Sequence, residues 1–259
     1  MGGWWQGLRR RSEQRATGRR AIPEEIWQLT LARYPFLARR DAADLTELRR
    51  LSSLFLDSKE FSGAHGLQVS DDMAVAIAAQ ACLPVLHLGL RPYDGFIGIV
   101  VHSDEVQVRR EFVDDDGIVH EYDDVLAGEA MEGGPVMLSW RDVSESGESS
   151  TWGYNVVVHE FAHVLDMGDG VADGIPPLAT AADREHWRQV LTREYTGFCH
   201  AVDARRGTVI DPCGAESPEE FLAVASEAFF VAPHDLRAEM PALYGLLSDY
   251  YRQDPAAEE

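Results

Sequence analysis

The chain has 259 residues, of which 45% are hydrophobic, and its formal net charge is −21. These values are typical of one large or two small globular domains with a substantial core. The acidic charge argues against a nucleic-acid partner, because phosphates would be repelled. The longest apolar stretch, 73–90, is interrupted by Gln80, Pro84 and His87, so no membrane-spanning segment is predicted.

The N-terminal segment 1–21 differs in charge from the rest of the chain. Residues 1–50 contain 11 arginines and 6 acidic residues, a net charge of +5. Few large apolar residues lie in 1–21, so we expect this basic tail to be disordered. The chain has three cysteines, an odd and small number for a disulfide framework, which favours a reducing, cytoplasmic location.

Apolar residues at three- to four-residue spacing predict a helical region at 22–95. The spacing is clearest at 26–34 and 45–55. Ser70 is the expected N-cap of a third, buried helix that should end before Pro84. Three helices are therefore expected before the first strand.

Short β-branched runs then predict a small sheet, with strands at 96–102, 106–113 and 135–140. Helical patterns return at 154–167, 182–201, 217–231 and 240–252, and a Gly- and Pro-rich surface loop is expected at 168–177. These elements predict an α+β fold that is mostly helical with a small sheet. We expect the region 96–255 to form one compact unit with the helical region 22–95.

The sequence His159-Glu160-Phe161-Ala162-His163 is an H-E-x-x-H motif within a predicted helix. Histidines four residues apart lie one turn apart on the same helix face, so both imidazoles can reach a single zinc ion. Glu160 then lies beside the metal, where it can take a proton from water and pass it to a leaving amine. The motif therefore predicts metal-assisted hydrolysis.

An alternative is that both histidines are hydrogen-bonded residues of the core. The residues that flank them, at 156–158, 161–162 and 164–165, are apolar. Burying two imidazoles and a carboxylate among these residues without a shared partner would cost free energy, and this cost favours the metal site.

A catalytic zinc needs a third protein ligand and an open fourth position. Asp169 lies six residues after His163, where metzincin-type sites have their last ligand, but those sites need a glycine at the position of Asp166. Asp169 is therefore a poor candidate. Asp166 is expected either to support a ligand or to end the helix.

Glu220 and Glu227 are better candidates, since they lie seven residues apart on one face of the predicted helix 217–231. Each has another explanation. Ser217 and Glu220, with proline between them, match a capping box. Glu227 would suit a buried ion pair or a carboxylate that orients a histidine. Spacing alone leaves the two glutamates even.

Five segments carry more specific motifs: 155–166, Gly170-Val-x-x-Gly-Ile-Pro176, 83–90, Asp94-Gly-Phe96 and 220–230. Together they resemble the MtfA family of bacterial zinc peptidases, over about residues 22–255. Members of this family are cytosolic, gluzincin-like proteins related in their catalytic domain to anthrax lethal factor. Enteric members also bind a glucose-regulated transcriptional repressor. The resemblance implies a zincin-like metallopeptidase domain.

The resemblance also implies the roles of individual residues. It places the Zn²⁺ ligands at His159, His163 and Glu220 and the catalytic glutamate at Glu160. Glu220 therefore takes precedence over Glu227.

His120 and Cys213 are two further positions that the resemblance singles out. The family has a metal-associated histidine in a Gly-x-Val-His context, which matches His120. Because the surrounding segment 114–124 is acidic, we expect it to be solvated and mobile, with His120 as a removable fourth ligand. Cys213 stands seven residues before Glu220, where relatives commonly have a tyrosine that could stabilise an oxyanion.

Two functions are carried forward as hypotheses. The first is a zinc metallopeptidase that holds peptide substrates along the predicted strand 135–140 by β-augmentation. The second is a regulatory binding protein that sequesters a transcriptional repressor, with weak or no peptidase activity. The remaining histidines are expected to be surface or capping residues, namely His65, His87, His102, His186, His200 and His234.

Overall fold

The computed structural model describes residues 21–104, 106–113, 119–126, 128–130, 133–146 and 153–257, with the backbone alone for 106–113 and 119–126. The expectation of a disordered tail concerns residues that, apart from Ala21, lie outside these ranges. The described α-helices are α1 (Glu24–Arg33), α2 (Pro35–Ala38), α3 (Ala42–Ser58), α4 (Asp71–Cys82), α5 (Trp140–Glu145), α6 (Val156–Asp166), α7 (Ala181–Asp203), α8 (Pro218–Val231), α9 (Pro233–Glu239) and α10 (Pro241–Tyr251). The described strands are β1 (Glu60–Gly63), β2 (Gly98–His102), β3 (Val106–Val113), β4 (Val119–Leu126), β5 (Gly128–Ala130) and β6 (Val136–Ser139). The fold is α+β and mostly helical, as predicted.

Four of the strands form one sheet in the order β1-β2-β6-β5. β1, β2 and β6 are parallel, whereas β5 runs antiparallel to β6, with Gly128 opposite Leu138 and Ala130 opposite Val136. β3 and β4 form a separate antiparallel hairpin.

The strand order bears on the prediction that a peptide substrate adds to the strand 135–140. The predicted strand 135–140 corresponds to β6, which has a neighbour on each side, so its main-chain groups are already paired. The prediction that this strand holds a substrate is therefore wrong. β5 is the strand that forms this edge of the sheet.

The core is built around two apolar helices, α6 and α8. All residues of α8 from 221 to 231 are buried. Phe161 of α6 packs on the rings of Phe55, Tyr93 and Phe96 at centroid distances of 5.7, 4.9 and 5.9 Å. Aromatic pairs at such distances add stabilisation beyond burial alone. This packing fixes the face of α6 that lies opposite its two histidines.

Most predicted elements are confirmed, but their order is wrong at one point. The predicted strand 106–113 coincides with β3, and the predicted helices 154–167 and 217–231 correspond to α6 and α8. β1, however, precedes α4, so a strand comes before the third predicted helix. β1 has only four residues and pairs through the long-range contact of Glu60 with Gly98, which local periodicity does not reveal.

Three local details also differ from the predictions. Ser70 precedes α4, but its side chain makes no capping hydrogen bond. The predicted helix 240–252 corresponds to α10, and α9 is an additional short helix between the predicted helices 217–231 and 240–252. Both α9 and α10 begin with a proline, because proline can start a helix but not continue one. In the loop 168–177, expected at the surface, Gly174 and Ile175 are buried.

The sequence predicts neither a membrane-spanning segment nor a disulfide framework, and the structure can be compared with both predictions. Every helix in the described ranges is too short or too polar to cross a lipid bilayer. Cys82, Cys199 and Cys213 are all free.

Hydrogen bonds from buried side chains join the N-terminal helices to the rest of the chain. Tyr34 is fully buried and donates its hydroxyl to the carbonyl of Val143 over 3.0 Å. Gln253 donates from Nε2 to the carbonyl of Leu83 over 2.9 Å. Because a buried carbonyl without a partner is costly, the bond from Tyr34 makes one region depend on the other for stability.

Replacing Tyr34 tests this dependence. Tyr34→Phe keeps the ring but leaves the Val143 carbonyl without its donor, so we expect the free energy of unfolding in urea to fall by about 1–3 kcal/mol. Thr46→Ala is the control, since Thr46 is exposed on α3 and bonds only within its own helix. Equal stability of Tyr34→Phe and the parent chain would contradict this role.

Candidate metal centre

Helix α6 carries the H-E-x-x-H motif, and Asn155 fixes its start. Asn155 Oδ1 accepts the N–H of Val158 at 2.9 Å, which satisfies one of the free donors at the helix N-terminus. Asn155 Nδ2 donates to Gln80 Oε1 at 2.7 Å, and both side chains are fully buried. The position of the motif is therefore set by α4 as well as by its own helix.

His159, His163 and Glu220 converge on one point. The Nε2 atoms of the two histidines lie 3.2 Å apart. Glu220 places Oε2 3.3 Å from His159 Nε2 and Oε1 3.4 Å from His163 Nε2. The three side chains are between 14% and 32% exposed, so the cluster is accessible from solvent. Within the described ranges, these ligand atoms lie within 4.8 Å of one another, close enough to share a metal ion.

Glu220 reaches this cluster from the first turn of α8. Its backbone N–H donates to Ser217 Oγ at 3.3 Å, which is the helix cap that the sequence predicts. Its carboxylate faces the two histidines instead of completing a capping box with Ser217. The cap and the metal-ligand position therefore use different atoms of the same residue, and the two explanations of Glu220 do not compete.

Glu227 lies behind His159 and is 3% exposed. Its Oε1 is 2.8 Å from His159 Nδ1, and its Oε2 accepts the backbone N–H of Asn155. Glu227 therefore stays outside the cluster of possible ligands. It orients a histidine, which is one of the two explanations that spacing left open.

The charges in the cluster depend on one another. Burial lowers the pKa of His159, but Glu220 and Glu227 outweigh burial and hold this pKa well above its usual range. Hydrogen bonds with His159 and His163 hold the pKa of Glu220 well below its usual range. Because a histidine ligand must be deprotonated, a metal ion would compete with a proton for the same imidazole nitrogen.

Glu160 lies beside the cluster and is 4% exposed. Burial raises its pKa to about 7, although the two histidines act in the opposite direction. Gly128 of β5 lies directly against this side chain: a Cβ at Gly128 would be 2.5 Å from Glu160 Oε1 and 2.7 Å from its Cγ. The glycine allows the edge strand to approach the carboxylate closely.

Asp166 and Asp169 lie apart from the cluster. Asp166, at the end of α6, accepts the N–H of Gly174 on Oδ2 at 2.9 Å and so holds the following loop. Asp169 forms an ion pair with Arg184, with 2.6 Å between Oδ2 and Nη1. Their contacts give both aspartates structural partners outside the cluster.

The backbone of His120 lies in β4, where it pairs with Phe112. This part of the acidic segment 114–124 is therefore a paired strand and not the mobile loop that the sequence suggested. The side chain of His120 and residues 114–118 lie outside the described residues.

Cys213 lies in an exposed 3-10 turn at Pro212–Ala215, where its N–H donates to Asp211 Oδ1 at 2.9 Å. A hydrogen bond with Asp211, followed by burial, raises the pKa of the thiol to about 11. The thiol is therefore neutral at neutral pH, and it is a weaker donor than the hydroxyl of a tyrosine.

His102 departs from the expectation of surface histidines. Both of its ring nitrogens are buried without a hydrogen-bond partner among the described residues, and its ring lies 5.8 Å from that of His65. His87 matches the expectation better, since it is exposed and lies 3.3 Å from Asp44.

Apart from Glu227, the residues that support the cluster are ones that the sequence did not indicate. Asn155 could have been found, because an asparagine directly before an apolar helix is a capping signal. Gln80 and Gly128 could not, since their roles depend on contacts with distant parts of the chain.

Comparisons with known proteins agree with the motif and the fold. A family model described as glucose-regulated metallo-peptidase M90 matches residues 8–252. An uncharacterised protein of Synechocystis is 38% identical over 231 residues, which cover 88% of this chain and 84% of that protein. Mlc titration factor A of Yersinia pestis and that of Yersinia pseudotuberculosis are each 34% identical over 226 residues, which cover 86% of this chain and 83% of the relative.

These matches extend over nearly the whole chain and include the H-E-x-x-H helix and the helix of Glu220. They confirm the resemblance that the sequence motifs indicated, and the α+β architecture agrees with a zincin-like domain. The chain is a member of the glucose-regulated metallopeptidase M90 family.

Proposed function

We propose that the chain is a zinc-dependent metallopeptidase in which Glu160 acts as the general base. The observation that carries the proposal is the convergence of His159, His163 and Glu220 beside the carboxylate of Glu160. Membership of a metallopeptidase family supports peptide hydrolysis as the reaction.

The separations in the cluster fit a tetrahedral zinc ion. Zinc binds nitrogen and oxygen ligands at about 2.0–2.2 Å, so two ligand atoms at corners of a tetrahedron lie about 3.3–3.6 Å apart. The two Nε2 atoms are 3.2 Å apart, and each faces a different oxygen of the Glu220 carboxylate, with 3.3 Å from His159 Nε2 to Oε2 and 3.4 Å from His163 Nε2 to Oε1. Two imidazoles and one carboxylate are also the ligand set of many catalytic zinc sites, which leave a fourth position open. We therefore assign the zinc ligands to His159, His163 and Glu220.

Glu160 moves the proton in the proposed reaction. When bound, zinc supplies Lewis acidity, which polarises the scissile carbonyl and makes a nearby water molecule more acidic. The carboxylate of Glu160 accepts a proton from the attacking water and delivers it to the nitrogen of the leaving amine. Gly128 lies against one side of the carboxylate, which limits the positions it can take.

Glu227 acts as a positioning residue for His159. If Nδ1 donates its hydrogen to Glu227 Oε1, the nitrogen that gains a lone pair when the ring loses a proton is Nε2, the atom that faces Glu220 and His163. The bond from the Asn155 N–H to its second oxygen keeps the carboxylate of Glu227 from rotating.

We propose that an extended peptide substrate adds to the free edge of β5. Among the described strands, β5 pairs with β6 alone, and its Gly128 lies directly against Glu160. A peptide strand on the free edge would therefore bring its main chain past the general base.

The role of His120 as a fourth, removable ligand stays a prediction. It rests on the family resemblance alone. A fourth protein ligand would occupy the position that water needs, so the enzyme would be weakly active until that ligand is displaced.

Regulatory binding is the second candidate function, and the name of the Mlc titration factor A relatives favours it. On this hypothesis the chain binds an Mlc-like transcriptional regulator and has weak or no peptidase activity. Calorimetric titration with Yersinia Mlc, together with a peptidase assay, separates the two functions. Binding without hydrolysis supports the regulator, and hydrolysis that depends on zinc and Glu160 supports the enzyme.

Glu160→Gln tests the general base. The variant removes a proton acceptor without removing a metal ligand, so we expect about one zinc per chain by atomic absorption and a loss of peptide turnover of about 10²- to 10⁴-fold. Turnover close to that of the parent chain, at equal zinc content, would overturn the assignment of Glu160.

Three alanine variants on α8 test the third ligand. Glu220→Ala removes a proposed ligand and should weaken zinc binding most. Glu227→Ala removes only the support of His159, so its zinc affinity should fall about 10- to 100-fold. Glu219→Ala is the matched control, because Glu219 lies in the same first turn but not in the cluster. Competition with a chelator gives the affinities, and equal affinity of the Glu219 and Glu220 variants would exclude Glu220 as a ligand.

Gly128→Ala tests the contact between the edge strand and the general base. The added methyl group would displace the Glu160 carboxylate, so we expect kcat to fall by up to about 10²-fold while zinc affinity stays constant. Gly245→Ala is the control, since a Cβ there meets nothing within 4 Å. If the two variants have the same kcat, the contact does not contribute to catalysis.

A further inference from the structure

A groove of about 860 Å³ lies beside the C-terminal end of α6. Its walls come from three stretches, 88–96, 133–136 and 164–170, and Pro177 and Tyr250 complete it. We call it the α6 groove. The four residues to which we assign chemistry, His159, Glu160, His163 and Glu220, do not line it.

The α6 groove begins one helical turn beyond the general base. Val164 lies on α6 four residues after Glu160, on the same stripe of the helix, and it lines the groove. Met167, the first residue after α6, also lines it. Four residues of helix correspond to about 6 Å along the axis. The groove is thus a short distance from the reaction centre along its own helix.

The edge strand leads to the same groove. Gly128, at the start of β5, lies against Glu160, and the chain then runs through Ala130 to Gly133, which lines the groove. The helix and the strand that flank Glu160 therefore both continue into the α6 groove. A peptide on the free edge of β5 that passes Glu160 would enter it next.

The lining suits a peptide chain with an apolar side chain. Five of the lining residues are glycines and most of the others are apolar, among them Leu88, Phe96 and Val164. Glycines leave main-chain groups open to close approach by another backbone. Gly133, with φ of +62°, turns the chain after β5 in a conformation that other residues rarely adopt.

Of the described residues that line the α6 groove, Arg91 is the one that carries a charge. Its side chain is exposed and makes no ion pair with another residue of the described chain. In a protein of net charge −21, this guanidinium is a local site for a negatively charged group. A carboxylate is the group with which arginine pairs best in a peptide.

We propose that the α6 groove is a substrate subsite that takes an apolar side chain of the peptide, with a neighbouring carboxylate paired to Arg91. The proposal rests on the proposed peptidase function and extends it to a substrate class. An extended chain advances about 3.3 Å per residue, so 6 Å places the preferred side chain about two residues from the scissile bond. The enzyme should therefore favour peptides several residues long over single-residue amides.

Gly95→Trp is designed to fill the α6 groove. Gly95 lines the groove, and a Cβ at this position meets nothing within 4 Å, so a side chain can begin there without a clash at its first atom. Gly207→Trp is the matched control, because Gly207 is an exposed loop glycine with equal space around it and lies outside the groove. Zinc content of both variants verifies that the metal centre is intact.

Internally quenched decapeptides provide the main assay. Each has an alanine background with leucine or aspartate placed at successive positions. The parent chain and Gly207→Trp should show at least about 10-fold higher kcat/KM when leucine lies about two residues from the cleaved bond, and Gly95→Trp should lose this preference. Peptides too short to reach the groove should be cleaved equally by all three. Retention of the leucine preference in Gly95→Trp would overturn the proposal.

Arg91→Gln gives an independent arm that keeps the groove open. It should lose the preference for aspartate next to the leucine and keep the leucine preference itself. An unchanged aspartate preference would remove Arg91 from the proposal.

A binding assay separates failure of the subsite from failure of the peptidase function. If the zinc-loaded parent chain cleaves none of the peptides, the proposed function has failed. The leucine- and aspartate-containing decapeptide, labelled with fluorescein, is then titrated by anisotropy. Binding to the parent and to Gly207→Trp, with a loss of at least about 10-fold in Gly95→Trp, supports the groove as a peptide site. Equal or absent binding in all three overturns it.

Discussion

The hydrogen bond between His159 Nδ1 and Glu227 Oε1 is the interaction on which the rest of the candidate site depends. It holds the imidazole so that Nε2 faces His163 and Glu220. Glu227 is itself held by the backbone N–H of Asn155, whose side chain is bonded to Gln80. Buried polar side chains in such a hydrogen-bond network cost free energy if one of them lacks a partner. Each bond therefore restricts the orientation of the next side chain in the network.

Apolar packing of α6 and α8 surrounds this hydrogen-bond network. Phe161 packs among aromatic rings on the side of α6 opposite the histidines, and α8 is buried along most of its length. The glutamates of α8 therefore have little freedom to move relative to α6. Rigid helices hold a metal site more precisely than loops do, since side chains cannot drift from the ligand positions.

The sequence identified the reacting groups better than their surroundings. H-E-x-x-H has a fixed spacing on a helix, so His159, Glu160 and His163 could be placed from local periodicity alone. Spacing left Glu220 and Glu227 even, because a seven-residue interval puts both on one face of α8. The family resemblance favoured Glu220 as the ligand, and in the structure the distance of each carboxylate from an imidazole nitrogen separates their roles.

Long-range pairing explains what the sequence could not indicate. The strand assigned to the substrate was wrong because strand order, and not strand position, decides which edge is free. Gly128 gave no local signal, since its importance comes from contact with Glu160 across the fold. β1 was missed for the same reason, because four residues are too few to show a periodic pattern and the strand is defined by its long-range pairing with β2.

X-ray absorption at the zinc edge of the zinc-loaded protein tests the central claim most directly. The claim is that one zinc ion is held by the imidazoles of His159 and His163 and the carboxylate of Glu220. It predicts nitrogen and oxygen neighbours at about 2.0–2.2 Å, with imidazole scattering that decreases by one ring in His159→Ala. A sulfur neighbour at about 2.3 Å, or a spectrum unchanged by His159→Ala, would contradict it.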